Sequence, residues 1–260
     1  MPRIRRSPGP AADQRRQLHH QLPLGVAFLP HATTSAPAPV TIIWDWNGTL
    51  RDDVQDHLDA LNATLPDLGS TPITLERYRA AHRTPIRAFY DALLGRTLDD
   101  QQWHDADAAF QDELARHPVR LQSGARGLLL RLRAQGVRQS LLSLSLHDRL
   151  LAEVGKTGIS GLLDRIDGRH EPVVGSKAPA MARHIAALGH IVDPARTLVI
   201  GDTVDDAVAA LSVGAVPVLH ASGLHSPQRL ATAGVPVADN LEAAVETGLS
   251  IINSAQWERR

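Results

Sequence analysis

The 260-residue chain has no cysteine, which excludes disulfides, thiolate metal ligands and a cysteine nucleophile, and fits a reducing, cytoplasmic setting. No stretch approaches the roughly 20 apolar residues of a membrane span. Charge of either sign is barely in excess, at −1 net, which argues against broad binding of nucleic acid or other polyanions. Lysine is scarce: only Lys156 and Lys177 occur. Internal repeats are missing too. What remains is 43% hydrophobic and 21% charged, an ordinary globular composition long enough for one large domain or two modest ones.

Residues 1–39 stand apart from the rest. Five arginines against Asp13 give this tail a net charge of +4, leaving −5 for the remainder. Its Pro, Ala, Arg and His content shows no sustained periodicity, so the segment is expected to be disordered, and the natural start is expected near Val40. The run "LPLGVAFLP" is broken by two prolines and followed by no cleavage site, so it is not read as a signal peptide.

From Val40 onward short apolar runs alternate with helical patterns. "VTIIWD" (40–45), "SLLSLS" (140–145), "TLVIGD" (197–202) and "AVPVLH" (215–220) have the length and composition of strands buried on both faces. Amphipathic stretches closed by glycine lie between them. This alternation predicts an α/β fold, a Rossmann-like open parallel sheet flanked by helices. Residues 53–118 offer helical patterns and no strand, which predicts an inserted α-helical cap; the core then comprises 40–52 and 119–252.

Ligands of open α/β sheets sit at the carboxyl ends of the strands. Asp45 ends the first strand, Ser143 lies in the second, Lys177 precedes a helix after a short strand expected at Asp164–Asp167, and Asp202 ends "TLVIGD". Two carboxylates, a hydroxyl and an ammonium at one sheet edge suit a magnesium ion and a phosphate. Taken singly, each has a plainer role: a turn or N-cap aspartate, a backbone-satisfying serine, a solvated lysine, acids favouring a helix N-terminus. Their order along the chain carries the signal.

In that order the chain resembles the haloacid dehalogenase superfamily, mostly magnesium-dependent phosphatases that form an aspartyl-phosphate. Asp45-Trp46-Asn47-Gly48-Thr49 matches the first family motif, Asp-x-Asp-Gly-Thr. Ser143 matches the second, Lys177 the third, and Gly201-Asp202-Thr203-Val204-Asp205-Asp206 the fourth. The stretch after Asp206 is similar to phosphoglycolate-phosphatase-like members. The resemblance implies Asp45 as nucleophile, and Mg2+ held by Asp45, Asp202, the Asn47 backbone carbonyl and Asp206, the last holding a metal-bound water or the lysine. Asp205 is the alternative for that last role. Ser143 and Lys177 would bind the phosphoryl group, with backbone N–H groups of the Trp46–Thr49 loop. The implied partner is a small phosphorylated metabolite, with neither nucleic acid nor a membrane involved.

Asn47 departs from the pattern. The family's second aspartate gives a proton to the leaving alcohol and then activates water, and an amide does neither. General acid–base catalysis typically contributes about 10²–10⁴-fold. Either the substrate has a good leaving group, or Asp52, Asp53 or His82 substitutes, or the protein binds a phosphorylated ligand without efficient turnover. The cap segment "AHRTPIRAFY" places Arg83 and Arg87 four residues apart, suited to a carboxylate or second phosphate of the substrate or else to a solvated basic face. Tyr90 shares that segment. Trp44, Trp46 and Trp103 read as packing residues, although Trp46 could also shape the pocket. His220 and His225 either line the pocket or sit on the surface.

Overall fold

A computed structural model describes residues 39–83, 85–170, 175–189 and 192–254. All but the last residue of the expected tail lies outside the described residues. Six parallel strands form one open sheet: β1 (Thr41–Trp44), β2 (Arg138–Leu146), β3 (Arg165–Arg169), β4 (Thr197–Gly201), β5 (Val216–His220) and β6 (Val237–Ala238), in the order β3-β2-β1-β4-β5-β6. β1 is central, with Thr41 in register with Arg138 on one side and Thr197 on the other. The chain builds outward from β1 to β3, then crosses to β4 and builds the other way. The crevice at that reversal, where β1, β2 and β4 end together, is where such sheets bind ligands.

The strands are apolar throughout because both faces are covered. Ile42, Trp44, Leu198 and Ile200 pack in one cluster with α5 (Ala125–Ala134), α6 (His147–Thr157) and α10 (Leu241–Asn253). Ile43, Leu142 and Val199 pack in another with α7 (Ala178–Leu188) and α8 (Val204–Ser212). Alternate residues of a strand point to opposite faces, so Ile42 and Ile43 serve different layers. A short helix, α9 (Pro227–Ala231), precedes β6. Sequence reading named neither α9 nor β6, because a five-residue helix and a two-residue strand are too short to show a period.

Four helices, α1 (Val54–Thr64), α2 (Leu75–Ala81), α3 (Ile86–Leu94) and α4 (Asp100–Arg116), form the cap. Val54, Leu58, Leu61, Tyr78, Phe89, Tyr90 and Ala106 make its apolar centre, which Leu224 of the core joins. The two connections to the sheet run side by side: Gln122 N donates to Leu50 O and Asp52 N to Arg120 O, both at 2.9 Å. No described helix is long and apolar enough to cross a membrane.

Candidate active site

The loop after β1 turns sharply at Gly48, whose φ of +71° favours glycine. A Cβ there would also lie 2.2 Å from Asp202 Oδ2, and one on Gly223 would lie 2.1 Å from Asp202 Cβ. Glycine at both positions lets two backbones close around the Asp202 carboxylate. Thr49 Oγ1 donates to Asp202 Oδ1 at 3.1 Å and Leu224 N to Oδ2 at 2.5 Å.

Asp45, Asp202 and Asp206 are buried, and one ligand atom of each lies within 4.8 Å of the others. Lys177 Nζ donates to Asp45 Oδ1 at 2.5 Å and to Asp206 Oδ1 at 2.6 Å. The Lys177 backbone N–H donates to Asp205 Oδ2 at 2.9 Å, and Asp206 Oδ2 accepts from Thr203 N and Oγ1 at 3.0 and 2.6 Å, closing a capping box at the start of α8. Two of the three clustered carboxylates thus hold the ammonium, and Asp202 is left without a cation among the described residues. Burial, together with Asp45 and Asp206, pushes the Asp202 pKa well above the ordinary carboxylate value. Burial also raises Asp45, to about 6 against the pull of Lys177. The residual negative charge and an all-oxygen donor set fit a hard divalent cation.

Ser143 lies on the same cavity and is buried, its Oγ accepting from Ser145 N at 3.1 Å. Residues 45, 47, 143, 177, 202, 205 and 206 all line one cavity of about 490 Å3 under the cap. The four residues far apart in sequence therefore meet at one place. Other expected residues do not. Trp46 is fully buried away from the cavity, its Nε1 donating to Glu153 Oε2 at 2.9 Å. Arg83 is exposed, donates to Ala81 O at 3.1 Å and is off the cavity wall. Arg87 is on the wall but gives its guanidinium to Asp100 Oδ1 and Leu98 O, at 2.7 and 2.6 Å. His220 and His225 are buried and line no part of the cavity; Val204 N donates to His225 Nδ1 at 3.1 Å.

Around Asn47 the structure adds partners that sequence reading missed. The Asn47 amide donates to Asp53 Oδ2 at 2.6 Å, and its carbonyl oxygen accepts from Ser145 Oγ at 2.6 Å. Asp53 also accepts from Gly48 N at 2.7 Å and pairs with Arg51 and His57, each at 3.2 Å. Burial alone would raise Asp53, but His57, Arg51 and the Asn47 amide hold its pKa below the usual value. It is therefore a fixed anion, ill suited to giving up a proton. Asp52 is exposed and off the cavity. His82 lines the cavity, where burial keeps the ring neutral. Two spacings held these clues: Ser143 and Ser145 share a strand face, and Asp53 and His57 are one helical turn apart.

A profile of the haloacid dehalogenase-like hydrolases matches residues 40–214. The chain belongs to this hydrolase family. It is 27% identical over 196 residues to the phosphoglycolate phosphatase of Synechococcus elongatus, covering 74% of this chain and 88% of that one. Its fold is similar to that of a predicted phosphatase from Clostridium acetobutylicum, with a TM-score of 0.71 at 15% identity over 82% of this chain and 99% of that one. A haloacid dehalogenase-like family hydrolase from Streptococcus pneumoniae gives 0.67 at 18% identity, over 81% and 97%. The expected Rossmann-like sheet with a helical cap is the fold observed.

Proposed function

We propose that the protein is a Mg2+-dependent phosphoric monoester hydrolase that acts on a small phosphorylated metabolite through an aspartyl-phosphate. The observation that carries this reading is Lys177 bonded to Asp45 inside a buried group of acids, with Ser143 on the same cavity. An Asp45 oxygen attacks phosphorus, and the phosphorus–oxygen bond to the alcohol breaks with its electron pair leaving on the alcohol oxygen. Lys177 and the Ser143 hydroxyl meet the phosphoryl oxygens and offset their charge. Water then cleaves the acyl phosphate, freeing Asp45 and inorganic phosphate. Asp45, Asp202 and the Asn47 main-chain carbonyl would hold the Mg2+, which supplies neutralising charge to the phosphoryl oxygens when bound. Asp206 serves the lysine, since its two oxygens are engaged by Lys177 and Thr203.

Asp45→Asn should abolish release of phosphate from an aryl phosphate in the presence of Mg2+ while leaving the protein folded. Turnover that survives this substitution would remove Asp45 from the chemistry and end the proposal.

A further inference from the structure

We infer that the substrate is the phosphate monoester of an uncharged aromatic alcohol, a phenol foremost, rather than a small phosphorylated acid. This rests on the hydrolase reading above and adds the class of leaving group. The chain has only nine aromatic residues (three Phe, four Trp, two Tyr); of the seven among the described residues, five line the cavity over Asp45, Trp103 and Phe110 half-buried and Tyr78, Phe89 and Tyr90 almost fully buried in the cap. Four of the five adjoin edge to face: Tyr78 with Phe89 and Phe89 with Tyr90 at 5.7 Å, and Tyr90 with Trp103 at 5.6 Å between ring centres. Concentrating scarce rings on one wall suits a planar apolar guest. The volume, about 490 Å3, falls in the range of pockets that enclose ligands of many atoms and far exceeds what a two-carbon acid fills.

Charge on the wall points the same way. Among the described residues, the arginines lining the cavity already have protein partners. Arg87 serves Asp100 and Leu98 O, Arg51 pairs with Asp53 and Glu153, Arg149 pairs with Glu153, and Arg169 donates to Leu144 O. Asp107 adds negative charge to the same wall. A substrate carboxylate would have to compete with these protein acids and carbonyls for the arginines, at a desolvation cost. The third support is chemical. Asn47 gives no proton, and a phenol, with a pKa near about 10, leaves with far less need of one than an alkyl alcohol.

The test is calorimetric binding, with Mg2+ present, of three non-hydrolysable phosphonates: benzylphosphonate, ethylphosphonate and 3-phosphonopropionate. They mimic an aryl, an alkyl and a carboxylate-bearing ester. Burial of the ring should make benzylphosphonate about 30-fold tighter than ethylphosphonate. The carboxylate should bring no gain. Trp103→Ala should cut the benzyl-to-ethyl ratio about fivefold, and reading a ratio cancels general weakening of the site. No benzyl advantage, or tightest binding by 3-phosphonopropionate, overturns the inference. Phenyl phosphate and phosphoglycolate turnover separates the two readings. If no monoester is hydrolysed but benzylphosphonate still binds best, the hydrolase proposal fails alone. If phosphoglycolate is hydrolysed and 3-phosphonopropionate binds best, the aromatic inference fails alone.

Discussion

Restoring the family's second aspartate, Asn47→Asp, looks like a repair in the sequence and a perturbation in the structure. The Asn47 amide nitrogen lies 2.6 Å from Asp53 Oδ2, and a carboxylate in its place would set two anionic oxygens at that separation. At an effective dielectric of about 20 the direct repulsion is about 6 kcal/mol, so the pair will take up a proton instead. A rise of about two to three in the pair's upper pKa converts to about 3–4 kcal/mol of lost stability at pH 8. The sign follows from linkage. A carboxyl whose folded pKa is raised keeps an extra proton in the native state. The penalty is therefore absent below about pH 4 and grows as pH rises through the folded value. Urea unfolding of both proteins at pH 5 and pH 8 should show the deficit widening at the higher pH. In turnover, the shared proton becomes a donor, so an alkyl phosphate should be hydrolysed about 10²-fold faster near pH 6 while acetyl phosphate, whose leaving group needs none, stays level. A variant as stable as the parent at pH 8 would refute the Asn47–Asp53 geometry as the reason for the amide.

Three further outcomes follow from the buried charges. Mg2+ at about 100 times its dissociation constant should add about 2.7 kcal/mol to stability, and Asp202→Asn should abolish that gain while leaving the metal-free protein at least as stable, because it removes one of three crowded anions; a persisting Mg2+-induced Tm shift would refute the assignment. Burial lowers His220 and His225 from 6.5 to about 4, so each contributes stability that is complete above pH 6.5 and lost as pH falls toward 4, at most about 3 kcal/mol per ring, and His220→Phe should flatten this acid limb in denaturant titrations. Glu153 is buried and joins Trp46 at 2.9 Å, Arg51 at 2.8 Å and Arg149 at 2.8 Å, so Glu153→Ala should cost about 3–5 kcal/mol by removing the carboxylate that Arg51 and Arg149 share, and an unmoved urea midpoint would count against that network.

The sheet was legible because its signal is local. Four apolar runs bounded by turn residues became β1, β2, β4 and β5, and the helical patterns between them became the flanking layers. The family motifs were legible for the same reason, each being a few residues at fixed spacing. The partners of those motifs were not. Trp46 beside Asp45 reads as packing that could also shape the pocket, and the fold decides for packing by joining its ring to Glu153, 107 positions away. Arg87 reads as either a substrate contact or part of a solvated face, and in the fold Asp100 and the Leu98 carbonyl occupy it.

Residue order alone determined the open parallel sheet, the helical insertion after its first strand, and the four polar side chains assigned to the strand ends, since periodicity and short-range spacing specify all three. Tertiary structure decided that Asp45, Lys177, Asp202 and Asp206 form one cluster with more negative than positive charge, that Asp53 and Ser145 grip Asn47 from either side, and that five of the seven described aromatic residues line a single cavity. These depend on distances between segments 153 residues apart and more, set by how the strands cross and how the cap settles on them, and on a buried environment that strengthens charge interactions that water would screen.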